Sequence, residues 1–298
     1  MFKNYIGQDT IKNNLTVLIN YSKENKMPLP HMLITGFSGG GKTTLVDNIA
    51  NAYGVKQITL MGAHVEYNDI VNAITQLNDR DILFIDEIHS LNSKIIIKMY
   101  SLLADAELHY TLQGQPLVLQ VPKITIIGAT THSGKLPEAL RNRFPTTFNL
   151  KEYTENDLKS MLDLYAKEFV YESIAIKERI VTMSRNVPRT LKNLVQNIRV
   201  YATCIKTNTI TNTIVDRVSA ALSIDNLGLT DVDIALLKAL SQTRPKSLKT
   251  LSNILNVEII NIERIYEPYL LKLGFIEIVT KGRLITEKGA AYIKTPGE

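Results

Sequence analysis

The chain has 298 residues, 45% of them hydrophobic, a net charge of +5 and one cysteine, Cys204. That length suits two or three domains with packed cores, and a lone cysteine excludes an internal disulfide and any metal site built on several cysteines. The opening "MFKNYIGQ" lacks the apolar stretch of a signal peptide, and no window of about 18 uncharged apolar residues could span a bilayer. The expected location is therefore the cytoplasm, with no membrane partner and with Cys204 as a small core residue.

From His31 to about Leu150, short apolar strands alternate with helical patterns, the signature of a parallel sheet covered by helices in an α/β domain. The strands are "HMLITG", "QITLMG", "DILFIDE", "KITIIGATT" and "TTFNL". Between the third and fourth, "ELHYTLQGQPLVLQV" alternates about a turn containing Gly114 and predicts a hairpin with a polar tip from Gln113 to Pro116. After Tyr153 the strand pattern stops. Thr154 to Leu222 reads as successive amphipathic helices, among them "SIAIKERIVTMSR" and "RTLKNLVQNIRVYA". "SIDNLGLTDVD" supplies turn residues and a helix cap, placing the next boundary near Asp225. Three short helical patterns then lead to two strand-like runs about Lys281 and Gly282, the order expected of a winged helix. The predicted domains are residues 1–150, 151–224 and 225–298.

"GFSGGGKTTL", Gly36 to Leu45, fits a phosphate-binding loop on a strand-to-helix junction, the context such a loop requires. Gly36, Gly39, Gly40 and Gly41 let backbone amides face phosphate oxygens. Lys42 reaches the β and γ phosphates, Thr43 offers its hydroxyl to Mg²⁺, and Thr44 follows in the first helical turn, whose field favours the anion. In "DILFIDEIH" an apolar strand ends in Asp86 and Glu87, and acids there are best explained by a nearby cation. Asp86 would hold Mg²⁺, and Glu87 would act as the base on the attacking water. Hydrolysis therefore outranks transfer to a small acceptor, and ATP outranks GTP because no N-K-x-D motif follows the loop. "GATTH" puts Thr130 and Thr131 at the same edge of the sheet, where a hydroxyl can touch the γ phosphate or the water. Arg141 and Arg143 follow in "LRNRF".

In this order "GFSGGGKT", "LFIDEIH", "IIGATT" and "LRNRF" resemble the AAA+ ATPases, and more closely the RuvB family of Holliday-junction branch-migration motors. "YIGQ" at Tyr5 to Gln8 resembles the family's nucleotide-pocket segment, "VPRTLKNL" its second sensor and "YEPYLLKLGFIEIVTKGR" its winged-helix ending. The resemblance runs nearly end to end. It implies an AAA+ P-loop domain, a helical lid and a winged helix, with ATP and Mg²⁺ as cofactors. It implies Thr131 as first sensor, Arg143 as the arginine finger completing a neighbour's site, and Arg189 as second sensor. Tyr5 and Ile6 would pack near the adenine, Tyr153 beside the nucleotide, and Arg283 with Lys281 would contact duplex or junction DNA. A trans arginine requires a homo-oligomer, in this family a hexamer, and the hairpin 107–121 corresponds to the family's surface for a RuvA-like partner.

This chain departs from the family at several points. The Arg-Pro segment upstream of "YIGQ" is absent, implying weaker hold on nucleotide. His132 follows the sensor threonines where the family has Arg. Ile278 replaces a basic wing residue, implying weaker DNA contact there. The hairpin is shorter and different in sequence. Two other readings compete: a clamp-loader or initiator ATPase, whose usual ending differs, and a DNA-binding adaptor using ATP as a switch, which needs neither Glu87 nor Arg143. The positive surplus is small in every segment, so none is a strong electrostatic trap for DNA. If the wing does not bind DNA, the helices carrying Arg185, Lys192 and Arg199 are the alternative.

Overall fold

The structure is a computed structural model describing residues 1–112, 115–241 and 244–294. Its first unit is Met1–Asp157. The elements run α1 (Asp9–Glu24), β1 (Met32–Thr35), α2 (Lys42–Tyr53), β2 (Gln57–Met61), α3 (Tyr67–Ile74), β3 (Ile82–Asp86) and α4 (Ser93–Asp105). Then come β4 (Glu107–Leu112), β5 (Gln115–Gln120), β6 (Thr125–Thr130), α5 (Glu138–Arg141) and β7 (Thr146–Asn149). Strands β2-β3-β6-β1-β7 form one parallel sheet in that order. All five strands read from the sequence are present. The expected hairpin is the antiparallel pair β4–β5; part of its tip, Gln113 and Gly114, lies outside the described residues.

The inner strands are buried on both faces, so their side chains alternate between two cores rather than between core and water. Met32, Ile34, Ile82, Phe84, Ile127 and Ala129 join Leu15 and Ile19 of α1 and Leu45 and Ile49 of α2 on one side. Leu33, Leu83, Ile85 and Ile126 join Ile70 and Ile74 of α3 and Ile95, Met99 and Leu102 of α4 on the other. The outer strand β2 is nowhere fully buried, its residues being half-buried or exposed. Shifting any inner strand by one residue would exchange the two sets, so the register is set by packing on both sides at once.

The second unit is Leu158–Glu298, entered through α6 (Glu155–Tyr165). It continues with β8 (Val170–Tyr171), α7 (Ile174–Met183), α8 (Pro188–Cys204), β9 (Thr209–Ile210) and α9 (Asn212–Ala221). The pairing of β8 with β9 is parallel and two residues long, too short for any alternation to announce it. Cys204 is exposed, correcting the expectation of a core residue. It ends α8 off the stripe of Leu191, Leu194, Val195, Ile198 and Ala202 that faces the core.

The winged helix comprises α10 (Asp231–Leu240), α11 (Leu248–Leu255), α12 (Ile259–Asn261), α13 (Glu267–Lys272), the antiparallel pair β10 (Ile276–Val279) and β11 (Gly282–Ile285), and α14 (Glu287–Lys294). Between α12 and α13 the backbone widens into a π-turn, Ile262–Tyr266. Pro268, which follows, has no N–H to give to a carbonyl of that turn. Leu236, Leu237, Leu240, Leu251, Leu270, Phe275 and Ile276 form its own core. The cap read at the boundary is real: Thr230 accepts from the Asp233 amide while Asp233 accepts from the Thr230 amide, a reciprocal capping box.

The same Asp233 ties the winged helix to the turn between α7 and α8. Arg185 donates through Nη2 to Asp233 Oδ2 and through Nε to Gly228 O at 2.7 Å, and its guanidinium lies 5.0 Å from the centre of the Tyr269 ring. Asp233 is fully buried. Removing the guanidinium leaves a buried carboxylate supported only by Thr230 and the helix N-terminus, which costs about 3 kcal/mol, the low end for a broken buried pair. Arg185→Ala is therefore expected to lower the Tm of the full chain by about 5–10 °C in a thermal melt. Arg199 is likewise held, by Glu168 at 2.6 Å, so of the three cations named as an alternative DNA surface only Lys192 is exposed and without a described acidic partner.

Candidate active site

The order of the sheet positions the site. Strand β6 lies between β1 and β3, with Thr35 level with Thr130 and Ile85 level with Gly128. The carboxyl ends of three adjacent strands thus present the glycine loop, the threonines and the acids side by side, where ligands bind in open α/β sheets.

The loop is shaped by glycines. Gly39 and Gly41 have φ of 74° and 91°, a left-handed backbone that costs a side-chain-bearing residue about 1 kcal/mol or more. The Gly36 amide donates to Thr130 O at 3.3 Å, tying the loop to β6. Lys42 opens α2 with 6% of its surface exposed, and its ammonium donates to the carbonyls of Gly36 and Phe37, both at 3.2 Å. A buried cation therefore lies across the glycine loop. Thr43 and Thr44 are exposed in the same first turn.

Two tyrosines brace the loop from below. Tyr153 donates to Gly40 O at 2.9 Å, and Tyr5 donates to Gly41 O at 3.4 Å with its hydroxyl 3.3 Å from that of Tyr153. Both rings are buried, and burial pushes the Tyr153 phenol above its ordinary range. Both hydroxyls thus reach the loop's backbone, Tyr153 more closely than Tyr5. Ile6, next to Tyr5, is half-buried.

At the end of β3, Asp86 Oδ2 accepts from the Thr43 hydroxyl at 2.7 Å while Oδ1 accepts from the Glu87 amide at 2.9 Å. A hydroxyl and a carboxylate in contact are hard oxygen donors of the kind Mg²⁺ takes, and Mg²⁺ commonly uses only one or two protein ligands beside phosphate and water. The residues fit the ion. Glu87 has φ 50°, left-handed and uncommon for a glutamate, and its carboxylate is about one-third exposed. Oε2 accepts from the Thr131 amide at 3.2 Å and the Thr131 hydroxyl at 3.1 Å, with His89 Nδ1 3.1 Å away. Its own carbonyl leaves no room at Gly62, where a Cβ would lie 2.4 Å from Glu87 O. Gly62, His89 and His132 were not assigned roles from the sequence. His89 was legible only as the last letter of "DEIH", and nothing local marks Gly62.

Arg143 follows α5 and has its own partners: Nη1 donates to Ala139 O at 2.7 Å and the guanidinium lies 4.4 Å from the centre of the Tyr100 ring on α4. Its Nε is buried and has no hydrogen-bond partner among the described residues. Arg189 is exposed at the second residue of α8, after Pro188. In the wing, Lys281 is exposed at the turn. Arg283 is not extended toward solvent: Nε and Nη2 donate to the two oxygens of Glu267 at 2.9 and 3.1 Å.

Glycine-loop amides, a hydroxyl–carboxylate pair and a restrained glutamate at three adjacent strand ends are the requirements of ATP-hydrolysing P-loop proteins, and with helices and a winged helix following in the chain the fold is of the AAA+ class. Two family models match in sequence, the "Holliday junction DNA helicase RuvB P-loop domain" over residues 1–150 and the "RuvB C-terminal winged helix domain" over residues 226–294. The chain belongs to the RuvB family. It is 36% identical over 301 residues to the Holliday junction branch migration complex subunit RuvB of Latilactobacillus sakei, covering 98% of this chain and 90% of that one. The corresponding protein of Campylobacter hominis is 36% identical over 302 residues, covering 98% and 88%. Among solved structures, the RuvB Holliday junction branch migration motor of Thermotoga maritima superposes with a TM-score of 0.82 at 33% identity, covering 98% of this chain and 96% of that one. The structure of a point mutant of the same Thermotoga protein gives 0.84 at 32%, covering 99% and 97%.

Proposed function

We propose that this chain is an ATP-hydrolysing motor that drives Holliday-junction branch migration; its relatives are named as a Holliday junction branch migration complex subunit and a Holliday junction branch migration motor. The observation carrying this reading is the Thr43–Asp86 contact beside a glutamate held by Thr131, on a chain that ends in a winged helix. Bound ATP supplies the phosphoryl group, and Mg²⁺ the counter-charge on its oxygens. Lys42 and the amides of Gly36, Gly39, Gly40 and Gly41 bind the phosphates, with Tyr5, Ile6, Thr44 and Tyr153 completing the nucleotide site. Thr43 and Asp86 hold Mg²⁺. Glu87 takes the proton of the attacking water, and Thr131 orients Glu87. Arg143 serves a neighbouring subunit in a hexamer, and Arg189 acts as second sensor.

The working parts are residues 1–150 for ATP, 151–224 as lid and 225–298 for DNA, in the cytoplasm. No helix among the described residues is long and apolar enough to cross a membrane. The β4–β5 hairpin exposes Leu117, Val118 and Leu119, a suitable surface for a RuvA-like partner. The overall test is ATP turnover with and without four-way junction DNA, with oligomer size measured in parallel. Turnover indifferent to junction DNA in a protein that stays monomeric would sink the motor.

For DNA, Lys281 stands exposed at the wing turn, where a cation reaches phosphates without reading bases, whereas Arg283 lies in β11 with its guanidinium on Glu267 and meets a phosphate only if that pair opens. Lys281→Ala is expected to weaken binding about equally on unrelated duplexes and to reduce the salt slope by roughly one counterion. Arg283→Ala should chiefly lower Tm, since it strands the buried Glu267, and should change the salt slope less than Lys281→Ala does. Filter binding at several salt concentrations separates the two, and unchanged slopes in both would remove the wing from the DNA interface.

A further inference from the structure

Thr131 Oγ1 stands between two groups: Glu87 Oε2 at 3.1 Å and His132 Nδ1 at 2.7 Å. A hydroxyl has one proton and cannot donate to both. With Glu87 acting as a carboxylate, both contacts are hydrogen bonds in one arrangement only: Nδ1 of His132 carries the proton and donates to Thr131 Oγ1, whose own proton goes to Glu87 Oε2. With the proton on the other ring nitrogen, Nδ1 becomes an acceptor and draws the threonine proton to itself. Glu87 Oε2 then faces a lone pair at 3.1 Å. Which way the Thr131 hydroxyl points is thus decided by the imidazole next to it in sequence.

The backbone at His132 is tied to Thr130, and its ring packs against that of His89. The His132 amide donates to Thr130 Oγ1 at 2.9 Å, and Thr130 Oγ1 is 2.9 Å from His89 Nδ1. The His89 and His132 rings lie 4.8 Å apart at 54°. The Thr131 amide, the Thr131 hydroxyl and His89 all meet Glu87 at Oε2, so Oε1 is the oxygen available to a water proton. An arginine, which the resemblance would place at 132, has no nitrogen that can accept and so could not reverse the threonine hydroxyl.

From this geometry we infer that His132 is a positioning residue for hydrolysis. By donating to Thr131 it turns the threonine hydroxyl onto Glu87 and so holds the carboxylate ready to act. The inference rests on the reading of Glu87 as the base.

The test is a double-mutant cycle in the full chain, reading kcat at saturating ATP and the dissociation constant of a fluorescent ATP analogue. His132→Ala should lower kcat about tenfold, within the range seen for coupled neighbours, with nucleotide affinity unchanged within about twofold. His132→Asn, whose side-chain amide can donate to the same hydroxyl, should recover most of the loss. In a Thr131→Val background, His132→Ala should cost nothing further, because the group it acts through is gone. Equal losses in both backgrounds would overturn the inference. So would His132→Asn no better than His132→Ala, and this comparison decides alone if Thr131→Val turns over too slowly to read. Glu87→Gln separates the two readings. If it still hydrolyses ATP, the base assignment fails; if it is inactive while the cycle is additive, only the role of His132 fails.

Discussion

Lys42→Ala is expected to lower nucleotide affinity by about 100-fold or more, whereas Glu87→Gln should bind ATP as the wild type does and hydrolyse it about 10²- to 10⁴-fold more slowly. The first figure follows from losing about two charge-assisted hydrogen bonds to phosphate, each worth roughly 1.5–3 kcal/mol. The second is the usual contribution of a positioned general base. Lys42 lies across the loop with its ammonium on two loop carbonyls, so its removal takes a cation from the loop without touching the acids. Glu87 has no contact with the loop in its hydrogen bonding, which runs to Thr131 and toward His89. Gln keeps the shape and the acceptor oxygen but cannot take a proton. Equilibrium binding of a fluorescent nucleotide, beside phosphate release, reads both quantities. Equal loss of affinity in the two variants would end the division of roles.

Arg143→Ala should lower kcat about 10³-fold, the lower end for an arginine finger, and the loss should be repaired in trans. Mixing Arg143→Ala subunits with Lys42→Ala subunits, each inactive alone, places some intact loops against intact fingers and should restore measurable turnover. Within its own chain Arg143 is engaged by Ala139 O and the Tyr100 ring, with a buried Nε left unpartnered among the described residues. Recovery in mixed assemblies, shown to be mixed by differential labelling, distinguishes trans from cis action. No recovery there would move the role to Arg141.

Much of the fold was legible because its signals are local. Four consecutive buried residues in β3, the glycines before Lys42, and the Thr230–Asp233 cap each declare themselves within one or two turns of chain. The winged helix was likewise visible in the runs on either side of Lys281. The two-residue strands β8 and β9 were not, since so short a pairing has no period. Nor was the exposure of Cys204, which depends on where α8 ends relative to its buried stripe.

The sequence by itself determined which residues stand at strand ends and helix starts, and hence that Lys42, Thr43, Asp86, Glu87 and Thr131 are candidates for one chemistry. Only the tertiary structure decided what each of them touches. Thr131 meets Glu87 across 44 residues because β6 inserts between β1 and β3. Arg283 is claimed by Glu267 and Arg185 by Asp233, although in sequence each looks like any exposed cation. The physical reason is range. Backbone geometry repeats every two or about 3.6 residues and leaves its trace in the local pattern, whereas an ion pair or a hydroxyl's direction depends on which distant segment the packed core brings within about 3 Å.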